Sequence, residues 1–279
     1  MPNITIVTDS SCDIPVDMAE QLGITVVPLS IRFGDEEFVD REDLTPGEFW
    51  AKCASTAELP STAAPSPGAF QAAFLAAKDA GADGVVCITI SSDLSGSFGS
   101  ARTAADATSE IEVAVIDSRA VTMALGLVVI AAAEAAAAGS SMAEIVALTE
   151  SNMARVGVVG ALDTLEHLKK GGRVGGAQAL IGSVLAIKPL LELKDGLVSE
   201  AGRQRTRSKA IAHLVKHVKD DGPYERIAVA HGSAPDVGDL LAKLEGVDCD
   251  SEIIVTEIGS VVGTHGGPGI IGICWLKRA

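Results

Sequence analysis

Three short segments carry side chains able to hold something small and anionic. The first is Leu59-Pro60-Ser61-Thr62-Ala63-Ala64-Pro65-Ser66-Pro67. Its prolines hold an extended loop and remove backbone donors. Ser66 is placed to cap the next helix, with Pro67 in the first turn. Thr62 is not needed for that cap, so its hydroxyl is free to bind. The second segment is Ser91-Ser92-Asp93-Leu94-Ser95-Gly96-Ser97. A serine- and glycine-rich turn before a helix offers N–H groups and hydroxyls to a carboxylate or a phosphate. Asp93 opposes a doubly charged group more than a singly charged one. Plain capping by Ser95 or Ser97 explains the same residues. The third is Gly263-Thr264-His265-Gly266-Gly267-Pro268-Gly269, which reads as a loop whose glycines let backbone approach a ligand. His265 there could hydrogen-bond a carboxylate or help move a proton, or it could be a turn histidine bonded to backbone. His231, before Gly232-Ser233, is its nearest rival. The segment lacks the GxxxxGK[ST] pattern of a phosphate-binding loop.

Charge adds a fourth feature. The formal net charge of −15 disfavours nucleic acid and anionic membranes as partners. Yet residues 169–209 gather nine Lys and Arg against only Glu192, Asp195 and Glu200. Such an island suits one local anionic partner, or it is a solvated face. Lys169 and Lys170 could merely favour a helix C-terminus, whereas Arg173 follows the glycine stop Gly171-Gly172. Arginines such as Arg173 and Arg205 suit bidentate contacts to carboxylate or phosphate. No GxSxG elbow or HExxH pair is present. Asp9 and Asp117 at strand ends could be acid/base groups, but turn capping explains both. The lack of a nucleophile–base set weighs against an independent enzyme.

These segments need a frame. In the first half, apolar β-branched runs at Ile4–Asp9, Ile24–Ile31, Gly84–Ile90 and Glu112–Asp117 alternate with helical patterns, which implies a parallel sheet covered by helices. Ligands of such sheets bind beyond the carboxyl ends of the strands, where the polar tips lie. Helices over Ala120–Ala138 and Ser141–Met153 follow, and a second set of strands begins at Val156–Leu162. The expected architecture is α/β in two lobes. Residues 1–153 form a three-layer α/β/α domain with a parallel sheet, and residues 154–279 a two-layer α/β domain with a mixed sheet. A composition of 47% hydrophobic residues supplies ample core, while 3% aromatics argues against base stacking. The five scattered cysteines make neither a disulfide framework nor a zinc site, and with no signal pattern at the N-terminus they point to the cytoplasm. The apolar run starting at Ala120 is stopped by Glu134, too soon to span a bilayer.

Taken in order, Thr8-Asp9-Ser10, Thr62-Ala63-Ala64-Pro65-Ser66-Pro67, Ser92-Asp93-Leu94-Ser95-Gly96-Ser97, Asp117-Ser118, Lys170-Gly171-Gly172-Arg173, Lys188-Pro189, Arg205-Thr206 and Thr264-His265-Gly266-Gly267-Pro268-Gly269 resemble the DegV family of bacterial fatty-acid-binding proteins. The resemblance covers essentially the whole chain. It implies a long-chain fatty acid as ligand, its acyl chain buried in one lobe and its carboxylate near the lobe junction. Thr62 and Ser95 would hold the carboxylate, with His265 close by. It also implies a carrier for phospholipid synthesis, needing no cofactor, that delivers its acid to a fatty-acid kinase, with Arg173 and Arg205 in the docking role. Ala63 and Ala64 stand where relatives often carry polar residues, and Ser97-Phe98 where they often have Thr-Tyr. The alternative is a small-molecule phosphoryl or acyl transferase using His265 and the glycine-rich loop.

Overall fold

The computed structural model describes residues 2–180 and 187–279. The first lobe comprises β1 (Ile4–Asp9), α1 (Val16–Gln21), β2 (Thr25–Val27), β3 (Ser30–Phe33), β4 (Glu36–Val39), α2 (Pro46–Ser55), β5 (Ser61–Ala63), α3 (Pro67–Asp79), β6 (Gly84–Thr89), α4 (Ser97–Ala107), β7 (Glu112–Asp117), α5 (Thr122–Ala137) and α6 (Met142–Met153). The second comprises β8 (Val156–Ala161), α7 (Glu166–Gly171), β9 (Lys188–Lys194), β10 (Leu197–Gln204), α8 (Arg207–Asp221), β11 (Tyr224–His231), α9 (Val237–Leu244), β12 (Ile254–Glu257), α10 (Ser260–Gly266) and β13 (Ile271–Lys277).

Four parallel strands in the order β2-β1-β6-β7 form the first sheet. Every residue of β6 is buried, as a strand covered on both faces requires. Phe70 and Phe74 of α3 and Ala101 and Ala104 of α4 pack on one face with Val7, Val85 and Cys87. Helix α5 covers the other and also lies against the second sheet, since Leu125, Val128 and Val129 share a core with Ile6, Ile88, Ala228, Cys274 and Leu276. A helix pressed between two sheets has no solvent face, and α5 is accordingly apolar all round. The second sheet is mixed, in the order β10-β9-β8-β13-β11-β12, with only β11 and β12 parallel. Leu214 and Val218 of α8 and Leu240 and Leu244 of α9 cover its outer face.

One expected strand is two. The run Ile24–Ile31 breaks at Pro28, which cannot donate to a ladder. β2 stays in the parallel sheet, while β3 turns away to pair with β4 and β5 in a small antiparallel sheet. That third sheet matters because β5 carries Thr62, opposite the buried Ile31.

Candidate ligand-binding site

A largely apolar cavity opens between the lobes. Leu29, Ile90, Leu94 and Val121 reach it from the carboxyl end of the parallel sheet, where the topology places ligands. Most of its wall comes instead from the second lobe. Alternate residues of one sheet face line it: Val158 and Gly160 of β8 with Leu162 just past its end, and Gly272 and Cys274 of β13 with Ile270 just before its start. The acyl chain was expected within one lobe, but the cavity is shared by both. Leu191, Glu192 and Leu193 of β9 all border it, with Leu191 and Leu193 on the cavity face and Glu192, paired with Val159, on the other face by strand alternation. The β9–β10 hairpin closes one side. Its tip is tied to the first lobe by the Ser91 hydroxyl, which donates to the Gly196 carbonyl at 2.8 Å, and by Arg119, which donates to the Asp195 carbonyl.

Thr62, Ser95, Arg173 and His265 all line this cavity. His265 Nε2 lies 3.0 Å from Thr62 Oγ1. Its Nδ1 is buried and has no hydrogen-bond partner among the described residues. Gly171 explains the ring's position, because a Cβ there would overlap His265 Nδ1. A lone pair tolerates that Cα–H neighbour and an N–H does not. We therefore assign the proton to Nε2, donating to Thr62 and leaving the threonine O–H free to donate into the cavity. Burial, the nearby Arg173 guanidinium and His167 together push the His265 pKa down to about 4, so the ring is neutral near pH 7. His167 Nδ1–H in turn donates to the Thr264 carbonyl at 3.1 Å and ties α7 to α10.

Ser95 plays both roles that its sequence left open. Its Oγ accepts from the Ser97 backbone N–H at 3.3 Å and lies 3.0 Å from the Ser97 hydroxyl, and the residue lines the cavity. Ser66 caps α3 by accepting from Ala69 N–H. Arg173 donates to the Leu94 carbonyl at 3.1 Å and to the Gly171 carbonyl, so its charge sits at the cavity wall. Arg205 is elsewhere: it is exposed in the turn between β10 and α8. Part of the basic island is already paired, with Arg207 on Asp236 and Lys188 on Asp163.

The glycine-rich segment differs from the expected loop. Residues Ser260–Gly266 form α10, and a Cβ at Gly263 would strike Phe49 and Trp50. Gly263 thus permits close packing of α2, and positive φ appears only at Gly267 and Gly269. No phosphate-cradling loop results. Asp9 and Asp117 are turn caps. Asp9 accepts from Ser11 and Ile90 N–H, and Asp117 from Ser92 and Arg119 N–H. The residues the sequence reading missed are the cavity-lining positions of β8 and β13 and the ring-packing Gly171. A glycine inside an apolar strand, Gly160 in β8 and Gly272 in β13, was the local hint, and their pairing gave none.

With this geometry in view, the comparisons with known proteins are decisive about family. The family model described as "Uncharacterised protein, DegV family" matches residues 3–278. The chain belongs to the DegV family. A DegV domain-containing protein of Streptomyces coelicolor is 37% identical over 99% of both chains. The structure described as fatty acid binding of a DegV family protein from Thermus thermophilus superposes with a TM-score of 0.91 at 35% identity, covering 99% of this chain and 100% of that one. A stearic acid-binding protein from Eubacterium ventriosum superposes at 0.90 with 26% identity, covering 99% and 98%. Like these DegV relatives the chain is a two-lobed α/β protein, and among its described residues no helix is long and apolar enough to cross a membrane.

Proposed function

We propose that the chain is a carrier of a long-chain fatty acid and has no catalytic cycle of its own. The observation that carries this reading is the meeting of Thr62, Ser95, Arg173 and His265 in one otherwise apolar cavity. The polymethylene chain supplies affinity, at about 0.8 kcal/mol for each methylene taken from water. The donors orient the carboxylate: the Thr62 hydroxyl held by His265, the Ser95 hydroxyl, and the Arg173 guanidinium. The fatty-acid-binding descriptions of the Thermus and Eubacterium relatives support the same ligand class. The carboxylate is then presented at the lobe junction to a fatty-acid kinase, which docks on the basic face through Arg205 together with Arg173. The exposed position of Arg205 supports that role.

Native mass spectrometry of delipidated protein titrated with palmitic acid tests the ligand. A one-to-one complex is expected, weakened by about a hundredfold in the Thr62→Ala/Ser95→Ala double variant. Equal binding by the variant contradicts the polar site, and no uptake by the wild type contradicts the carrier. The kinase step is tested by ATP consumption when loaded protein meets a fatty-acid kinase. Arg205→Ala slows that step without changing palmitate uptake, and equal rates contradict the docking role.

A further inference from the structure

We propose that the acyl chain crosses the strands of the second sheet in a trough floored by Gly160, Gly272 and Ala230, an inference that rests on the fatty-acid reading above. Strand register makes the trough. Gly160 of β8 stands opposite Gly272 of β13, and Gly272 stands opposite Ala230 of β11. Opposed residues point to the same face, so the three form one row across the sheet, and all three line the cavity. The flanking rows are taller: Val158 opposite Cys274 on one side, Leu162 and Ile270 on the other. Leu191, opposite Gly160 on β9, raises the end of the row.

Neighbouring strands lie about 4.8 Å apart, so the low row extends about 10 Å at right angles to the strands. The two walls stand four residues apart along each strand, about 13 Å between backbones before their side chains narrow the gap. A single unbranched polymethylene chain fits such a slot, whereas a fused ring system does not.

Backbone conformation does not require either glycine. Neither Gly160 nor Gly272 has a positive φ. A Cβ on Gly160 would meet nothing closer than the Ile271 carbonyl at 3.4 Å, whereas one on Gly272 would press on the Val159 carbonyl at 3.2 Å, so Gly160 is the position with room for a side chain. A valine at such a position in a strand is ordinarily favourable, and glycine weakens the strand. What the pair provides is empty volume where the cavity needs it.

Gly160→Val separates stability from binding. The variant is expected to melt at or above the wild-type temperature while its palmitate affinity falls by about tenfold or more, since each displaced methylene weakens binding about fourfold. Gly160→Ala, which adds one carbon, shows a smaller loss of the same sign. Carbon-13-labelled palmitate bound to the wild type gives nuclear Overhauser contacts from chain methylenes to the Hα atoms of Gly160 and Gly272. These contacts settle the matter even if the valine variant does not fold. Undiminished palmitate uptake by Gly160→Val, or chain contacts confined to first-lobe residues, overturns the trough alone. A wild type that takes up no palmitate overturns the carrier reading, and the trough with it.

Discussion

At the junction of the lobes two groups of polar side chains are buried, one around Asp13 and one around His265, and they are wired differently. Asp13 accepts the Gly259 N–H at 2.8 Å and the Thr122 hydroxyl at 2.6 Å, while the Thr256 hydroxyl donates to its carbonyl at 2.8 Å. Arg41 beside it donates to the Ile14 and Ser10 carbonyls. Both carboxylate oxygens of Asp13 are thus engaged, and the bonds run from one lobe to the other. In the His265 group the chain of donors ends in the cavity, with the Thr62 and Ser95 hydroxyls still able to donate. Asp13, with both oxygens engaged, ties the lobes together, whereas the open His265 group is free to hold the proposed ligand. Thr122 connects the two regions: it bonds Asp13, takes a φ of 50° that is unusual for a β-branched residue, and lines the cavity.

The largest expected effects separate the two groups by pH. Burial raises the Asp13 pKa from 3.8 to about 6 against the pull of Arg41. Its contribution to stability is therefore greatest below about pH 4 and is lost as pH rises through 6. His265 is shifted the other way, from 6.5 to about 4. Its contribution is present above about pH 6.5 and lost as pH falls through 4. Each shift corresponds to about 3 kcal/mol, and over this window they oppose each other. Urea midpoints between pH 4.5 and 7 read the difference: Asp13→Asn should expose a loss of stability on acidification, and His265→Gln a gain. The same slope in both variants would break the comparison.

Next in size is Asp13→Ala, which leaves the Gly259 N–H and the Thr122 hydroxyl buried without their acceptor. Denaturant unfolding at pH 7 should show a loss of about 2 kcal/mol or more, with Asp13→Asn far milder. Thr62→Ala acts on the open network, so calorimetric titration should show palmitate binding weakened about tenfold, while unfolding shows a loss of about 1 kcal/mol because the His265 Nε2–H loses its acceptor. The smallest effect is that of Arg119→Ala. Its ion pair with Asp93 is half-exposed, so global stability should fall by less than about 1 kcal/mol. Hydrogen exchange at the hairpin tip around Gly196 should nevertheless quicken. Unchanged exchange there would show that Arg119 does not secure the cavity's side wall.

Much of this frame is visible in the sequence because it rests on local rules. The β-branched runs of β1 and β6 repeat with helical patterns between them, and Ser66-Pro67 announces the start of α3. The ordered motifs brought Thr62, Ser95, Arg173 and His265 forward as candidates, and all four line one cavity. The missed features depend on distant partners. Strands β3, β4 and β5 are three or four residues long, too short to show a period, and they exist as a sheet only through one another. Helix α10 has four glycines within or bordering it and reads as a loop, yet the contact of Gly263 with Phe49 and Trp50 favours a small residue there in a helix. Gly160 and Gly272 acquire meaning only from the register that sets them opposite each other, which no local pattern reveals.

The central claim is that the cavity holds a fatty acid, and denaturing mass spectrometry of an organic extract from the purified protein addresses it directly. The account predicts one long-chain fatty acid per chain, lost in the Thr62→Ala/Ser95→Ala variant. An extract free of lipid, from protein that also fails to take up added palmitic acid, would contradict it.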